Sequence, residues 1–234
     1  MTPDAEQMAT LRSYALRLID ANVPFTRNDP QYKEIVESTG WRKTPDNPGT
    51  TCGFLCHWLM WKLGVGDPKI LNWTDEKRKT KWKIGENINR IWNKGQMPFK
   101  QLAEPYAPPS KKNPTLNMLE FGASMGIGGP QAGDSVFIRE PGGSPGSEHV
   151  FVFLRARKTS AGLVWDTAEA GQDHGTDARL KTRDVQLTGN FHGYTKITGN
   201  NPIRTIIGWL DLSQVEYDPA GLDGALTAAA TFKA

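Results

Sequence analysis

The apolar residues of this chain change period at Gly128, and no other feature constrains the fold as much. Before that point apolar side chains recur at helical spacing. After it they alternate and are rich in β-branched and aromatic types. Residues 5 to 22 carry the stripe Leu11, Tyr14, Ala15, Leu18 and Ile19, closed by Asn22-Val23-Pro24. A second helix is expected after Pro30, on Tyr32, Ile35 and Val36, ending at Gly40-Trp41. A third runs over 52–63, with Thr50 and Thr51 as caps and Gly64 and Gly66 as its stop. Strands are expected over 135–139, 149–155, 162–168, 184–187 and 203–211. Helices followed by antiparallel strands predict an α+β fold, a helix packed on a sheet.

With 234 residues and 8 Trp, the chain can build one substantial core. A single domain is expected over 1–217. Residues 67–115 form a long insertion within it, with helices around 74–82 and 85–94 and a proline-rich loop over 104–114. A further short helix is expected over 117–123. Residues 218–234 lose all pattern and read as a loose tail. The insertion carries a basic run, Lys77, Arg78, Lys79, Lys81 and Lys83. Such a run is a solvated helix face or a cleft wall that attracts an anion, and the first is the commoner case.

Net charge is +3. That suits a polyanionic surface such as a cell wall and is far too weak to argue nucleic-acid binding. No run of about 18 apolar residues exists, so no membrane span is expected. Met1-Thr2-Pro3-Asp4-Ala5-Glu6 has neither a basic nor an apolar signal region, so no signal peptide is expected either.

Only two cysteines occur, Cys52 and Cys56, too few for a disulfide framework and in poor geometry for an intrahelical bridge. His57 lies off their face and no second ligand pair follows at metal spacing, so neither a metal nor a cofactor is expected. Cys52 stands out because a cysteine at a helix N-terminus feels the positive end of the helix dipole, which favours the thiolate. The plain alternative is a small buried packing residue.

A nucleophilic cysteine needs a base and a group to orient it. Of four histidines, His57 points away from Cys52, and His174 and His192 sit in polar loops. His149 opens the apolar run His149-Val150-Phe151-Val152-Phe153-Leu154, which places it at a sheet rim where a helix end can meet it. The next strand carries two carboxylates. Asp166 interrupts an apolar run and needs a partner, and cross-strand neighbours about 5 Å apart suit an Asp–His hydrogen bond. Glu169 falls on the other face by alternation and is the rival.

These residues resemble the NlpC/P60 and CHAP branch of papain-like cysteine hydrolases. The matching stretches are Thr51-Cys52-Gly53-Phe54, Pro130-Gln131-Ala132-Gly133-Asp134-Ser135-Val136-Phe137 and Glu148-His149-Val150-Phe151-Val152. The second carries the most weight. Gly133 permits a tight turn there and Asp134 can hold it by side-chain hydrogen bonds. The resemblance covers roughly residues 38 to 170 and implies Cys52 as nucleophile, His149 as base and Asp166 as orienting residue, with Glu169 its rival. It implies Trp41 as an aromatic lining the cleft, and Trp58 is expected with it among the substrate-binding residues of an aromatic-rich cleft that includes Trp61. It also implies an amide of a peptidoglycan stem peptide as substrate, cut by an endopeptidase or amidase.

A wall hydrolase without a signal peptide or wall-binding repeat resembles an antibacterial effector, carried by a contact-dependent secretion apparatus into the periplasm of a target cell. A phage lysin is the other possibility. The effector reading implies a cognate immunity protein as partner. The family's usual Asp-Cys-Ser-Gly is replaced here by Thr51-Cys52-Gly53-Phe54, and the orienting residue is acidic. Two further readings therefore stay open: a papain-fold deamidase, acyltransferase or transglutaminase acting on proteins, and a catalytically dead binding module.

Overall fold

The computed structural model describes residues 1–37, 52–65, 99–101, 130–139, 148–171, 177–187, 193–197, 204–213 and 217–233. Trp41, Thr50, Thr51, His174, His192, the basic run and the helices expected over 74–82, 85–94 and 117–123 lie outside them.

The first helix, α1 (Ala5–Asn22), starts where Asp4 and Gln7 cap each other. Gln7 N donates to Asp4 Oδ1 at 2.8 Å, and Asp4 N donates to Gln7 Oε1 at 3.0 Å. Its buried stripe is the expected one with Met8 added. A single turn, α2 (Pro30–Tyr32), continues into a π-helical turn over Lys33–Glu37. The central helix α3 (Phe54–Lys62) is buried at every residue from Phe54 to Met60, so it is apolar all round rather than amphipathic. Its N-cap is Gly53, with no side-chain cap, and Cys52 sits in the turn just ahead. Gly64 ends it at φ 82, and a Cβ there would lie 2.4 Å from the Gly221 carbonyl.

The loose tail expected over 218–234 is instead a helix, α4 (Pro219–Thr231). Asp218 caps it, accepting from Gly221 N at 2.7 Å, and Pro219 takes the first turn, where no N–H is needed. Its buried stripe is Leu222, Ala225 and Ala229, mostly alanine, which carries little hydropathy contrast. Arg17 of α1 ties it down, donating to Ala229 O at 2.7 Å and Phe232 O at 3.1 Å.

Among the described residues, seven antiparallel strands form one sheet: β1 (Phe99–Gln101), β2 (Ser135–Arg139), β3 (Glu148–Thr159), β4 (Gly162–Ala170), β5 (Ala178–Leu187), β6 (Gly193–Ile197) and β7 (Arg204–Leu210). The order is β1-β7-β2-β3-β4-β5-β6, and β6 also pairs with β7 through Tyr194–Thr205 and Thr195–Arg204. Strands β2 to β7 therefore close into a ring, and β1 pairs with the Gly208–Leu210 end of β7 on the edge that β6 meets at Arg204 and Thr205. Alternation along the strands divides two cores. Val136, Ile138, Phe151, Phe153, Trp165 and Trp209 belong to the inner one. Phe137, Val150, Val152 and Ala168 face the helices. Each fully buried large apolar side chain adds about 1.5–3 kcal/mol, so both cores matter to stability. The molecule is α+β, as expected. No helix among the described residues is long and apolar enough to cross a membrane.

The turn before β2 locks α1 to the sheet. Asp134 accepts from Gln131 N at 2.9 Å, Leu212 N at 3.1 Å and Arg12 Nη1 at 2.9 Å. Gly133 adopts φ 89 there, and a Cβ would press on Leu212 and Ala15. Burial pushes the Asp134 carboxyl up to about 6, against the pull of Arg12.

Candidate active site

Register decides which acid meets His149. Val152 pairs with Ala168, so continuing three residues along each strand sets His149 opposite Gly171. Glu169 is then the diagonal neighbour of His149 on the same face, within reach of long side chains. A bulge follows Phe153, and beyond it Arg155 pairs with Asp166.

Glu169, not Asp166, is therefore the partner of His149, with Nε2 3.0 Å from Oε2. The expected Asp166 assignment is corrected by this register. Asp166 faces outward, where it accepts from Arg155 Nε at 2.6 Å, Arg157 Nε and Nη2 at 2.7 Å each, and Thr182 Oγ at 3.2 Å. The hydrogen bond from Arg157 is the main cause that holds its carboxyl well below the usual range. Asp166 lines a separate cleft of about 500 Å³ with Leu16, Asp20, Leu154 and Leu180.

Glu169 is only 1 % exposed and its four acceptor positions are taken. Oε1 accepts from Arg183 Nε at 2.5 Å and Thr167 Oγ at 2.6 Å. Oε2 accepts from Arg183 Nη2 at 2.6 Å and faces His149. Burial alone would raise this carboxyl. The bond to His149, with its charge and that of Arg183, overrides burial and holds Glu169 well below the usual carboxylate range. An ionised carboxylate only accepts, so Nε2 carries the proton and Nδ1 is the nitrogen left for proton exchange.

Cys52 meets that imidazole. Both are buried, at 4 % and 2 % exposed. Burial works to lower the His149 pKa, but hydrogen bonds to the Cys52 sulfur and to Glu169, and their negative charge, raise it overall. The turn ahead of α3 thus brings the thiol to the start of β3, as the sequence predicts.

The other candidates fall into place around this centre. Cys56 is buried behind it, and burial pushes its thiol up to about 12, so it stays protonated. His57 is buried with neither ring nitrogen hydrogen-bonded, and burial lowers it to about 4, so it is neutral. Trp58, expected to line the cleft, is 0 % exposed and belongs to the helix-side core. It is a packing residue because α3 is enclosed on all sides.

Thr167 and Arg183 are site residues that the sequence reading did not single out. The polar run before Val185 hid the first half of β5. A buried Glu169 is itself the signal that a cation must lie nearby. Comparison with protein-family models, characterised proteins and solved structures finds no match.

Proposed function

We propose that the chain is a papain-like cysteine hydrolase that cuts an amide bond in peptidoglycan stem peptides. The observation that carries this reading is the buried chain of contacts from Cys52 through His149 to Glu169. A thiol beside an imidazole that is itself held by a carboxylate is the arrangement nucleophilic catalysis requires. The placement of the cysteine at a helix start, the histidine on β3 and the acid on β4 agrees with the papain-like resemblance. The substrate rests on that resemblance.

In this mechanism the Cys52 proton passes to His149 Nδ1 and the thiolate attacks the amide carbonyl. Collapse of the tetrahedral intermediate breaks the C–N bond, and His149 returns the proton to the leaving amine. Water then attacks the thioester while His149 accepts its proton. The acid product leaves, the proton goes back to sulfur and the thiol is restored. Glu169 never touches substrate; it keeps Nε2 protonated and the ring aimed at sulfur.

The reading extends to an antibacterial effector that acts in a target cell's periplasm and is held in check in the producer by an immunity protein. Periplasmic expression in a Gram-negative host, wild type beside Cys52→Ala and His149→Ala, tests it by muropeptide analysis. New fragments from wild type alone would support it and name the bond. Equal lysis by all three would refute the assigned nucleophile and base. No fragments from any of them would redirect the chemistry to a protein substrate.

A further inference from the structure

Behind the cysteine–histidine pair lies a cation that no step of the reaction uses. Arg183 of β5 is 0 % exposed. Its Nε and Nη2 fork onto the two Glu169 oxygens, and its guanidinium carbon lies 4.9 Å from the centre of the Phe151 ring. A guanidinium this deep is expensive unless charge and geometry are both matched, and here they are.

Counting charge shows what the match achieves. Among the described residues, His149 meets Cys52 from the turn ahead of α3 and Glu169 from β4; Cys56 lies behind Cys52, and Arg183 of β5 sits on the far side of Glu169. Cys56 is neutral. Glu169 and Arg183 sum to zero. The pair Cys52–His149 can therefore be thiol with imidazole, or thiolate with imidazolium, without a net buried charge. Without Arg183, the cluster would carry one uncompensated negative charge, and His149 would keep a proton to offset it. An imidazole that cannot give up its proton is no base.

We propose that Arg183 is the charge-balancing positioning residue of the cysteine centre: its fork fixes Glu169 for His149 Nε2 and offsets that carboxylate's charge, leaving His149 free to exchange a proton with Cys52. The role rests on the cysteine-hydrolase reading above. It differs from simple anchoring because it acts on the imidazole's protonation.

The test is proton NMR titration of the His149 ring, identified by its loss in His149→Gln, in the full chain. In a Cys52→Ala background the ring titrates without the thiol. There Arg183→Met should raise the His149 midpoint by roughly one to two pH units, the effect of leaving the Glu169 charge uncompensated. Arg183→Lys, which keeps the charge, should stay near the parent. Glu169→Gln should lower the midpoint, and the double variant Glu169→Gln with Arg183→Met should fall between the two singles.

If Arg183→Met does not fold, the same charge removed in the Glu169→Gln background must still raise the midpoint. An unchanged midpoint on removing Arg183, in either background, would overturn the charge-balancing role. The underlying reading has its own signature: restoring Cys52 must raise the His149 midpoint, and no change there would refute the cysteine–histidine pair instead.

Discussion

Glu169 Oε2 and His149 Nε2 lie 3.0 Å apart, although 20 residues of chain separate them. The contact depends on a diagonal step across two strands and on the face they share. Asp166, three residues earlier on β4, is on the opposite face. Glu169→Gln should lower fragment release from purified peptidoglycan by about 10²-fold, since an amide has one accepting oxygen and cannot serve both the Arg183 fork and the imidazole N–H. Asp166→Asn should leave the rate close to wild type. An equal loss from both would mean that Glu169 has no special place.

The two cysteines should behave in opposite ways. Cys56 is protonated and packed, so Cys56→Ala should keep full activity at a stability cost of about 1 kcal/mol from the lost sulfur. Cys52→Ala should abolish fragment release and cost little stability. Activity assays and thermal melts on both variants separate these outcomes, and loss of activity in Cys56→Ala at unchanged melting would contradict the assignment.

Asp134 gives stability a pH dependence of defined sign. Burial raises its folded carboxyl from 3.8 to about 6. The folded state therefore binds its proton more tightly than the unfolded state does. Its stabilising contribution is complete below about pH 4 and is lost as pH rises through about 6, on the order of 3 kcal/mol in all. Asp134→Asn lacks this titration. The melting temperature of wild type minus that of Asp134→Asn should be largest at the acid end and shrink toward neutrality, and a difference that grows with pH would be the wrong sign.

Gly64, just past the end of α3, packs against the backbone of Gly221 in α4. Its φ of 82 disfavours any side chain, and a Cβ would lie 2.4 Å from the Gly221 carbonyl carbon and oxygen and 2.7 Å from Leu222 N. These are backbone atoms that no rotamer change can move. Gly64→Ala should destabilise the protein by roughly 2–4 kcal/mol, combining backbone strain with displacement of α4. A denaturant midpoint equal to that of wild type would show that α4 shifts without penalty.

Much of this fold was readable before any coordinates. The strand expected over 135–139 is β2 residue for residue, and Cys52, His149 and Glu169 were all in view. Alternation correctly put Asp166 and Glu169 on opposite faces, but it could not say which face His149 shared, because that depends on pairing register across a bulge. The α4 helix was missed because alanine presents a weak stripe. Strand β6 was missed because Gly193-Tyr194-Thr195-Lys196-Ile197 is short and polar at two of its five positions. Trp58 reads as a cleft residue because an aromatic next to a candidate nucleophile looks the same in sequence whether it faces a ligand or the core.

The bulge after Phe153 also bears on how this protein can change over time. Before it, β3 and β4 hold His149 and Glu169 in a fixed register; after it, the two strands run on to a tight connection at Thr159–Gly162. The outer half of the hairpin carries Arg155, Arg157 and Asp166 and neither His149 nor Glu169. A change of length confined to the Thr159–Gly162 tip leaves these pairings as they are, whereas one within Leu163–Asp166 would shift the β4–β5 register that sets Arg183. The hairpin tip is thus a module of free length, while the His149–Glu169 register behind the bulge is insulated from it.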